Sequence, residues 1–228
     1  MNERSRDHGF ALVLVLVLVS ATFQVAAPEG DWSQLLTIML GALILAVSAW
    51  AARAQHRVVR AAVGAAAGLV VIATLVTVVT GDVPKAAAAL TNGLLIAFAP
   101  AIIGAGLVRD IRAEGGVSTR TLSGVLAIYV LLGMFFSFLD AAVGEIGSTP
   151  FFAGGPVTDR SDYLYFSYVT LSTVGYGDLV AATDVGRALA VSEALIGQIY
   201  LVTVVALIVS NLRPGARAAQ RAPRPPPP

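Results

Sequence analysis

Residues 173–178 have the sequence Thr-Val-Gly-Tyr-Gly-Asp, which places an unusual demand on the backbone. Gly175 and Gly177 alternate with a β-branched and an aromatic residue, and glycine adopts positive φ at little cost. A backbone that alternates between right- and left-handed conformations turns successive carbonyl oxygens to the same side. Such a row of oxygens can replace the water shell of a dehydrated monovalent cation. The stretch therefore predicts a cation filter, with Val174 and Tyr176 facing away from the ion path.

The segments on either side of this stretch have the order of a re-entrant pore. Ser161-Asp162 is a helix N-cap signal, and residues 163–172 provide only about three turns, too few to span a bilayer. Apolar runs that are long enough to span, 122–139 and 185–212, lie before and after. The order is span, short helix, glycine-containing strand, span.

With these neighbours, residues 122–212 resemble the pore module of tetrameric potassium channels. Gly186-Arg187 and the run 193–198, Glu-Ala-Leu-Ile-Gly-Gln, are similar to small bacterial members of that family. The resemblance implies a potassium-selective channel. Its ion sites would be the K⁺-binding carbonyl oxygens of the filter, which spans Thr173, Val174, Gly175, Tyr176 and Gly177. The first four would ligate K⁺, and the Thr173 hydroxyl would complete the innermost site.

The number of filter copies predicts the assembly. A dry cation needs oxygen ligands from several directions, and one strand cannot surround it. The chain contains one copy of the motif, so four chains are expected to assemble as a homotetramer. K⁺ is then the transported ion, and neither a cofactor nor a catalytic residue is expected.

The resemblance also implies supports for the filter. Asp178 would concentrate cations at the outer mouth and form hydrogen bonds behind the filter. Tyr165 and Phe166 match the aromatic residues that brace the filter tyrosine. Val169 stands where some members of the family carry a glutamate that pairs with the filter aspartate, so that pair is missing here.

Three residues of the last span are candidates for gating. Gly197 matches the hinge of the family by its spacing from Gly186, although close helix packing explains a glycine equally well. Glu193 is an ionisable residue within a span, which indicates a function. It would either brace the pore helix or line the cavity. Gln198 would face the conduction path.

Composition places the rest of the chain in a membrane. Hydrophobic residues make up 57% of the sequence and charged residues 13%, whereas a soluble domain carries about 25% charged residues. We expect an all-α polytopic membrane protein with six transmembrane helices, and with the re-entrant pore helix and filter strand between the last two. The predicted spans are 10–27, 35–52, 58–80, 86–108, 122–139 and 185–212. The alternative for residues 1–27 is a signal peptide, with Val25-Ala26-Ala27 as its cleavage site.

Charge predicts the topology. Of the 15 Lys and Arg residues, all but three lie on the side of the two termini, which is therefore the cytoplasmic side of the cell membrane. We expect a four-span domain (1–108), a cytoplasmic linker (109–120), a pore domain (121–212) and a disordered Pro/Arg-rich tail (213–228). Residues 140–160 would form an extracellular turret without regular structure. The fourth span carries no arginine, so strong voltage gating is not expected.

Two alternatives remain open from the sequence. One is a non-selective cation channel of the same architecture. The other is an intramembrane aspartyl protease, because residues 175–178 satisfy the GxGD pattern and Asp140 would be its second carboxylate. That reading requires Asp140 and Asp178 both to lie within spanning helices. The expected partners are the lipid bilayer and further copies of the chain, with no nucleic acid and no soluble regulatory domain.

Overall fold

The computed structural model describes residues 9–28, 30–54, 85–114, 118–154 and 159–211, with a few single positions between 61 and 75. Within these residues there are six helices. They are α1 (Gly9–Ala26), α2 (Asp31–Ala51), α3 (Lys85–Glu114), α4 (Thr119–Ile146), α5 (Arg160–Leu171) and α6 (Asp184–Asn211). Most of the predicted third span, 58–80, and the tail 213–228 lie outside the described residues.

The membrane character of the helices agrees with the prediction. All of the described helices except α5 are long and apolar enough to cross a membrane. The alternating Leu-Val run of α1 is helical although β-branched residues favour strands, because an isolated segment in lipid satisfies its backbone only as a helix. Phe10, Val13 and Val17 of α1 are completely buried, so this segment is packed as an integral helix of the fold.

Arginine side chains hold one end of the helix bundle together, and we call this end the arginine end. Arg120, at the start of α4, donates to the Ala51 carbonyl at 2.8 Å and pairs with Asp110 of α3 at 3.3 Å. Its guanidinium lies 4.9 Å from the centroid of the Phe10 ring in α1. Arg109 donates to the carbonyls that follow α2. Cations are favoured at a helix C-terminus, and here they join four helices at one point.

The opposite end joins α2 to the start of α5. Arg160 donates to Thr37 Oγ1 at 3.1 Å and to Ser33 Oγ at 3.3 Å. The first three helices and α4 also share one hydrophobic core, which reaches Leu164 of α5. By contrast, only 11% of the most apolar part of α6 is buried within the chain, against 50% for α4. Among the described spanning helices, α6 is therefore the one that packs least against the rest of its own chain.

Helix boundaries differ from the prediction in the turret and the linker. The helix α4 continues to Ile146, so the first part of the predicted irregular turret is helical. No proline occurs in this part of the helix. Gly144 is retained in it because it fits closely against Tyr163, whose hydroxyl would lie 2.2 Å from an added Cβ. The helix α3 likewise continues to Glu114, through half of the predicted linker 109–120.

The start of the pore helix was also predicted slightly wrong. The helix α5 begins at Arg160, and its N-cap is Asp159 rather than Ser161 or Asp162. Asp162 instead occupies the third helical position, where its Oδ2 accepts from the backbone N–H of Asp159 at 3.2 Å. An acidic residue three positions after the cap satisfies a free donor and complements the helix dipole, which explains the earlier start.

Candidate ion filter and its supports

The backbone of the hexapeptide alternates as its glycines predict. Thr173, Gly175 and Gly177 have φ of 58°, 55° and 81°, while the residues between them do not have positive φ. Positive φ is costly for a β-branched residue, on the order of 1–3 kcal/mol. The conformation at Thr173 therefore has to be held by its surroundings.

The C-terminal end of α5 holds this backbone through its N–H groups. Thr173 donates to the Thr170 carbonyl at 2.9 Å, and Val174 and Gly175 donate to the Val169 carbonyl at 2.9 and 3.3 Å. No hydrogen bond between described residues uses a carbonyl oxygen of residues 173–177. The N–H groups of the first three filter residues are thus anchored to the helix, and the carbonyl oxygens of the filter remain available to a cation.

Tyr165 supports the filter from the side. Its ring stacks with that of Tyr176, with centroids 6.5 Å apart and planes within 8° of parallel. Its hydroxyl donates to Asp178 Oδ2 at 2.8 Å. This hydrogen bond lowers the pKa of Asp178 and raises the pKa of Tyr165. One side chain therefore contacts both the filter tyrosine and the outer-mouth carboxylate, and no glutamate at Val169 is needed to hold that carboxylate.

Phe166 lies in a different environment from the predicted one. It packs in a turret cluster formed by Phe151, Phe152 and Tyr163, with ring centroids 5.9 Å from Phe151 and 5.1 Å from Phe152. Consecutive helical residues point about 100° apart, so Tyr165 and Phe166 cannot both face the filter of their own chain. Within one chain, Phe166 anchors the turret rather than Tyr176.

The turret cluster also fixes the chain that leaves the filter. The segment before the pore helix pairs with the segment after the filter, through an antiparallel bridge between Phe152 and Ala181. Ala153 donates to the Val180 carbonyl at 2.9 Å, and Ala182 donates to the Phe151 carbonyl at 2.8 Å. Sequence analysis missed this contact; the adjacent phenylalanines 151–152 in a loop were its one signal.

Close contact between α4 and α5 depends on a glycine that the sequence analysis did not single out. A Cβ at Gly133 would lie 2.3 Å from Tyr168 Cε1. The Tyr168 hydroxyl donates to the Val130 carbonyl at 2.8 Å, one turn away on α4. Ser167 Oγ also lies 2.6 Å from the Gly133 carbonyl. Two neighbouring side chains of the pore helix α5, Ser167 and Tyr168, are thus held against α4, which we call the outer helix.

Glu193 braces the pore helix, one of the two roles left open by the sequence. Its side chain is completely buried, and Oε1 is in hydrogen-bond contact with the Ser167 hydroxyl. Gly197 lies further along α6, where an added Cβ would be 2.2 Å from the Leu171 carbonyl oxygen. Close packing therefore requires this glycine, and its role as a hinge stays a prediction. Gln198 is exposed in the single chain, and its place on the conduction path stays a prediction as well.

The two carboxylates of the protease alternative differ in environment. Asp140 lies inside α4 rather than at the end of its span, is completely buried, and neither of its oxygens has a hydrogen-bond partner among the described residues. Asp178 lies in the exposed loop and is bonded to Tyr165. Two acids that activate water share a proton at one site, and this pair does not have that arrangement.

Comparisons with known proteins agree with the geometry of the pore region. Residues 124–213 match the family model described as ion channel. Over 76 residues, 33% of this chain, the sequence is 37% identical to two pore potassium channel c of Oryza sativa subsp. japonica. Over 107 residues, 46% of the chain, it is 38% identical to two pore potassium channel a of the same plant. Over 83 residues, 36% of the chain, it is 36% identical to channel b.

The family match lies in the second half of the chain. The aligned residues make up 16%, 26% and 22% of the lengths of channels c, a and b, so the chain spans only a small part, at most 26%, of the length of these relatives. The matched family and the relatives are ion channels and not enzymes. Together with the spanning helices, these similarities support a multi-pass membrane protein.

Proposed function

We propose that the chain is one subunit of a potassium-selective channel, in which four filters surround one axis and conduct dehydrated K⁺ passively. The observation that carries the proposal is the alternating backbone of residues 173–177, whose carbonyl oxygens accept no hydrogen bond from described residues. A filter of this kind replaces the hydration shell of the ion with carbonyl oxygens. K⁺ would be bound by the carbonyls of Thr173, Val174, Gly175 and Tyr176.

We infer a homotetramer from what one chain lacks. A single filter offers oxygens to the ion from one direction only. The relatives named above are themselves described as potassium channels, which supports K⁺ as the ion. In one chain, 52% of Val174 and 72% of Tyr176 are exposed, and α6 is largely uncovered. Neighbouring subunits would cover these surfaces and complete the ring of ligands.

The arginine end supports our proposal for the orientation of the chain in the membrane. At the arginine end, Arg109 and Arg120 lie where α1 and α4 begin and where α2 and α3 end. The filter lies with α5 at the opposite end of the bundle. Positive residues favour the cytoplasmic side. We therefore place both termini in the cytoplasm and the filter mouth outside, in the cell membrane.

Rubidium uptake into liposomes tests conduction. Rubidium ion is close in size to K⁺ and serves as the probe. Gly175→Ala places a Cβ on a residue whose φ is 55°, which strains the backbone, although no atom outside the adjacent residues lies within 4 Å of the added Cβ. Liposomes with the unmodified protein should take up rubidium, and Gly175→Ala should abolish the uptake while the tetramer persists on size-exclusion chromatography. Gly104→Ala, at a helical glycine that also has open space around it, is the matched control and should retain uptake. Equal uptake by Gly175→Ala and the control would refute the proposal.

A further inference from the structure

The Ser167 hydroxyl of the pore helix α5 makes two contacts, one with the outer helix α4 and one with the inner helix α6, but it carries only one proton. Ser167 Oγ lies 2.6 Å from the Gly133 carbonyl oxygen of α4 and also in hydrogen-bond contact with Glu193 Oε1 of α6. Ser167 and Glu193 are both fully buried, so water does not compete at the contact. A serine hydroxyl has one proton, and a carbonyl oxygen only accepts.

This proton count decides between two states of Glu193. If the carboxyl is ionised, it only accepts, and Ser167 must donate its one proton to it. The Ser167 and Gly133 oxygens would then face each other at 2.6 Å without a proton between them, which is repulsive. If the carboxyl is protonated, Glu193 donates to Ser167, and Ser167 donates to Gly133. Only the neutral acid makes both contacts hydrogen bonds.

Among the described residues, no cation lies near Glu193 to compensate a negative charge. The titratable groups within electrostatic range are Tyr129 and Asp140 of α4 and Tyr168 of α5, none of which is a cation. Glu193 Oε2 has no hydrogen-bond partner among the described residues. On α6 itself, Arg187 lies near the exposed Asp184 instead. A buried charge without a partner is strongly disfavoured.

We infer that Glu193 is held as a neutral carboxylic acid that donates to Ser167. The chain Glu193–Ser167–Gly133 then fastens the inner helix and the pore helix to the outer helix. When Glu193 loses this proton to water, Ser167 must turn its own proton to the carboxylate, and the link to Gly133 is lost. Glu193 is a positioning residue, because it acts on the filter through the pore helix.

The effect on conduction rests on the proposed function. The pore helix holds the filter through the Val169 carbonyl, two residues beyond Ser167, so weakening its attachment at alkaline pH should loosen the filter. Conduction through the unmodified protein should therefore fall as pH rises. Glu193→Gln retains a donor and an acceptor but cannot ionise, and it should remove this alkaline loss.

Infrared spectroscopy on the full purified chain tests the protonation state without any need for conduction. At neutral pH, the unmodified protein should show the carbonyl stretch of a protonated carboxylic acid that disappears in Glu193→Gln. Asp140→Asn is the control, since Asp140 is the other fully buried acid near this contact. Loss of a band in Asp140→Asn but none in Glu193→Gln would overturn the inference.

Thermal stability of the solubilised protein across the alkaline range tests the link itself. The melting temperature of the unmodified protein should fall with rising pH, and that of Glu193→Gln should stay flat. Ser167→Ala, which removes the middle of the chain, should lower stability at neutral pH and weaken the pH dependence. The same alkaline profile in Glu193→Gln as in the unmodified protein would contradict the inference. Both measurements are informative even if the rubidium experiment fails.

Discussion

At the level of single residues, the Tyr165 side chain contacts both Tyr176 and Asp178. Its ring supports the filter by stacking, and its hydroxyl supports the outer mouth by a hydrogen bond. The two contributions can be separated, because phenylalanine keeps the ring and removes the hydroxyl.

Tyr165→Phe should make conduction more sensitive to acid. The hydrogen bond holds the pKa of Asp178 below its ordinary value of 3.8. A lowered pKa in the folded state means that the interaction stabilises the mouth above the ordinary pKa and is lost as pH falls through the lowered one. Without the hydroxyl, the pKa of Asp178 rises, so the acid-induced loss of current should begin at a higher pH. Single-channel conductance between neutral and acidic pH measures this.

The matched control for that experiment is Tyr168→Phe. It removes a hydroxyl from the same helix, but one that donates to Val130 and not to Asp178. Its acid profile should equal that of the unmodified protein. Identical profiles for the two variants would show that the Tyr165 hydroxyl does not control the mouth carboxylate.

Gly133→Ala should destabilise the protein through the contact between α4 and α5. The added Cβ would lie 2.3 Å from Tyr168 Cε1, so the helices or the ring must shift. Overpacking of this kind costs about 1–3 kcal/mol in the free energy of unfolding. Gly104→Ala places a methyl in open space on a helix and should be neutral or stabilise by up to ~1 kcal/mol. Equal melting temperatures for the two variants would show that the contact is not tight.

At the scale of elements, the arginine end should carry much of the attachment between the first helices and the pore region. Arg120→Leu removes the hydrogen bond to Ala51 and leaves Asp110 without its partner. The side chains of this pair are only 7% and 14% exposed, and breaking a buried pair costs on the order of 3–5 kcal/mol. Thermal unfolding should therefore occur at a clearly lower temperature than in the unmodified protein.

Arg187→Leu is the control for this prediction. Arg187 and Asp184 are 4.0 Å apart, with side chains 67% and 103% exposed, and solvent screens such a pair. Arg187 Nε also donates to the Ala181 carbonyl at 3.3 Å, so a change much smaller than that of Arg120→Leu is expected. A fall as large as that of Arg120→Leu would indicate that loss of positive charge, rather than the buried contact, explains the result.

The elements that sequence analysis predicted well are those whose signal lies within one segment. The alternating backbone of the filter depends on two glycines and their neighbours. The length of α5 depends on a short helical run of residues. By contrast, the contacts of Gly133 with Tyr168 and of Ser167 with Glu193 join residues on different helices. Nothing in one segment reveals which residue of another it will meet. The position of Phe166 was missed for the same reason, since its turret partners precede it in a loop.

At the scale of the whole molecule, the helices that precede the pore region contribute packing and attachment, and the described part of α3 has no ladder of arginines. Arg109 and Arg112 both lie in its last turns, where Arg109 caps the neighbouring helix. Moving one charge across the membrane changes the energy by about 2.3 kcal/mol per 100 mV. With no such charges inside the span, open probability should change little between negative and positive voltages. A steep conductance–voltage curve from purified protein would contradict this.

Selectivity for K⁺ can be measured as the reversal potential of purified protein in planar bilayers, with K⁺ on one side and Na⁺ on the other. We predict a reversal close to the K⁺ equilibrium potential, which Tyr176→Asp shifts toward zero because the filter loses its stacking with Tyr165. A reversal near zero in the unmodified protein would mean that the filter does not select K⁺. The chain would then be a non-selective cation channel of the same architecture.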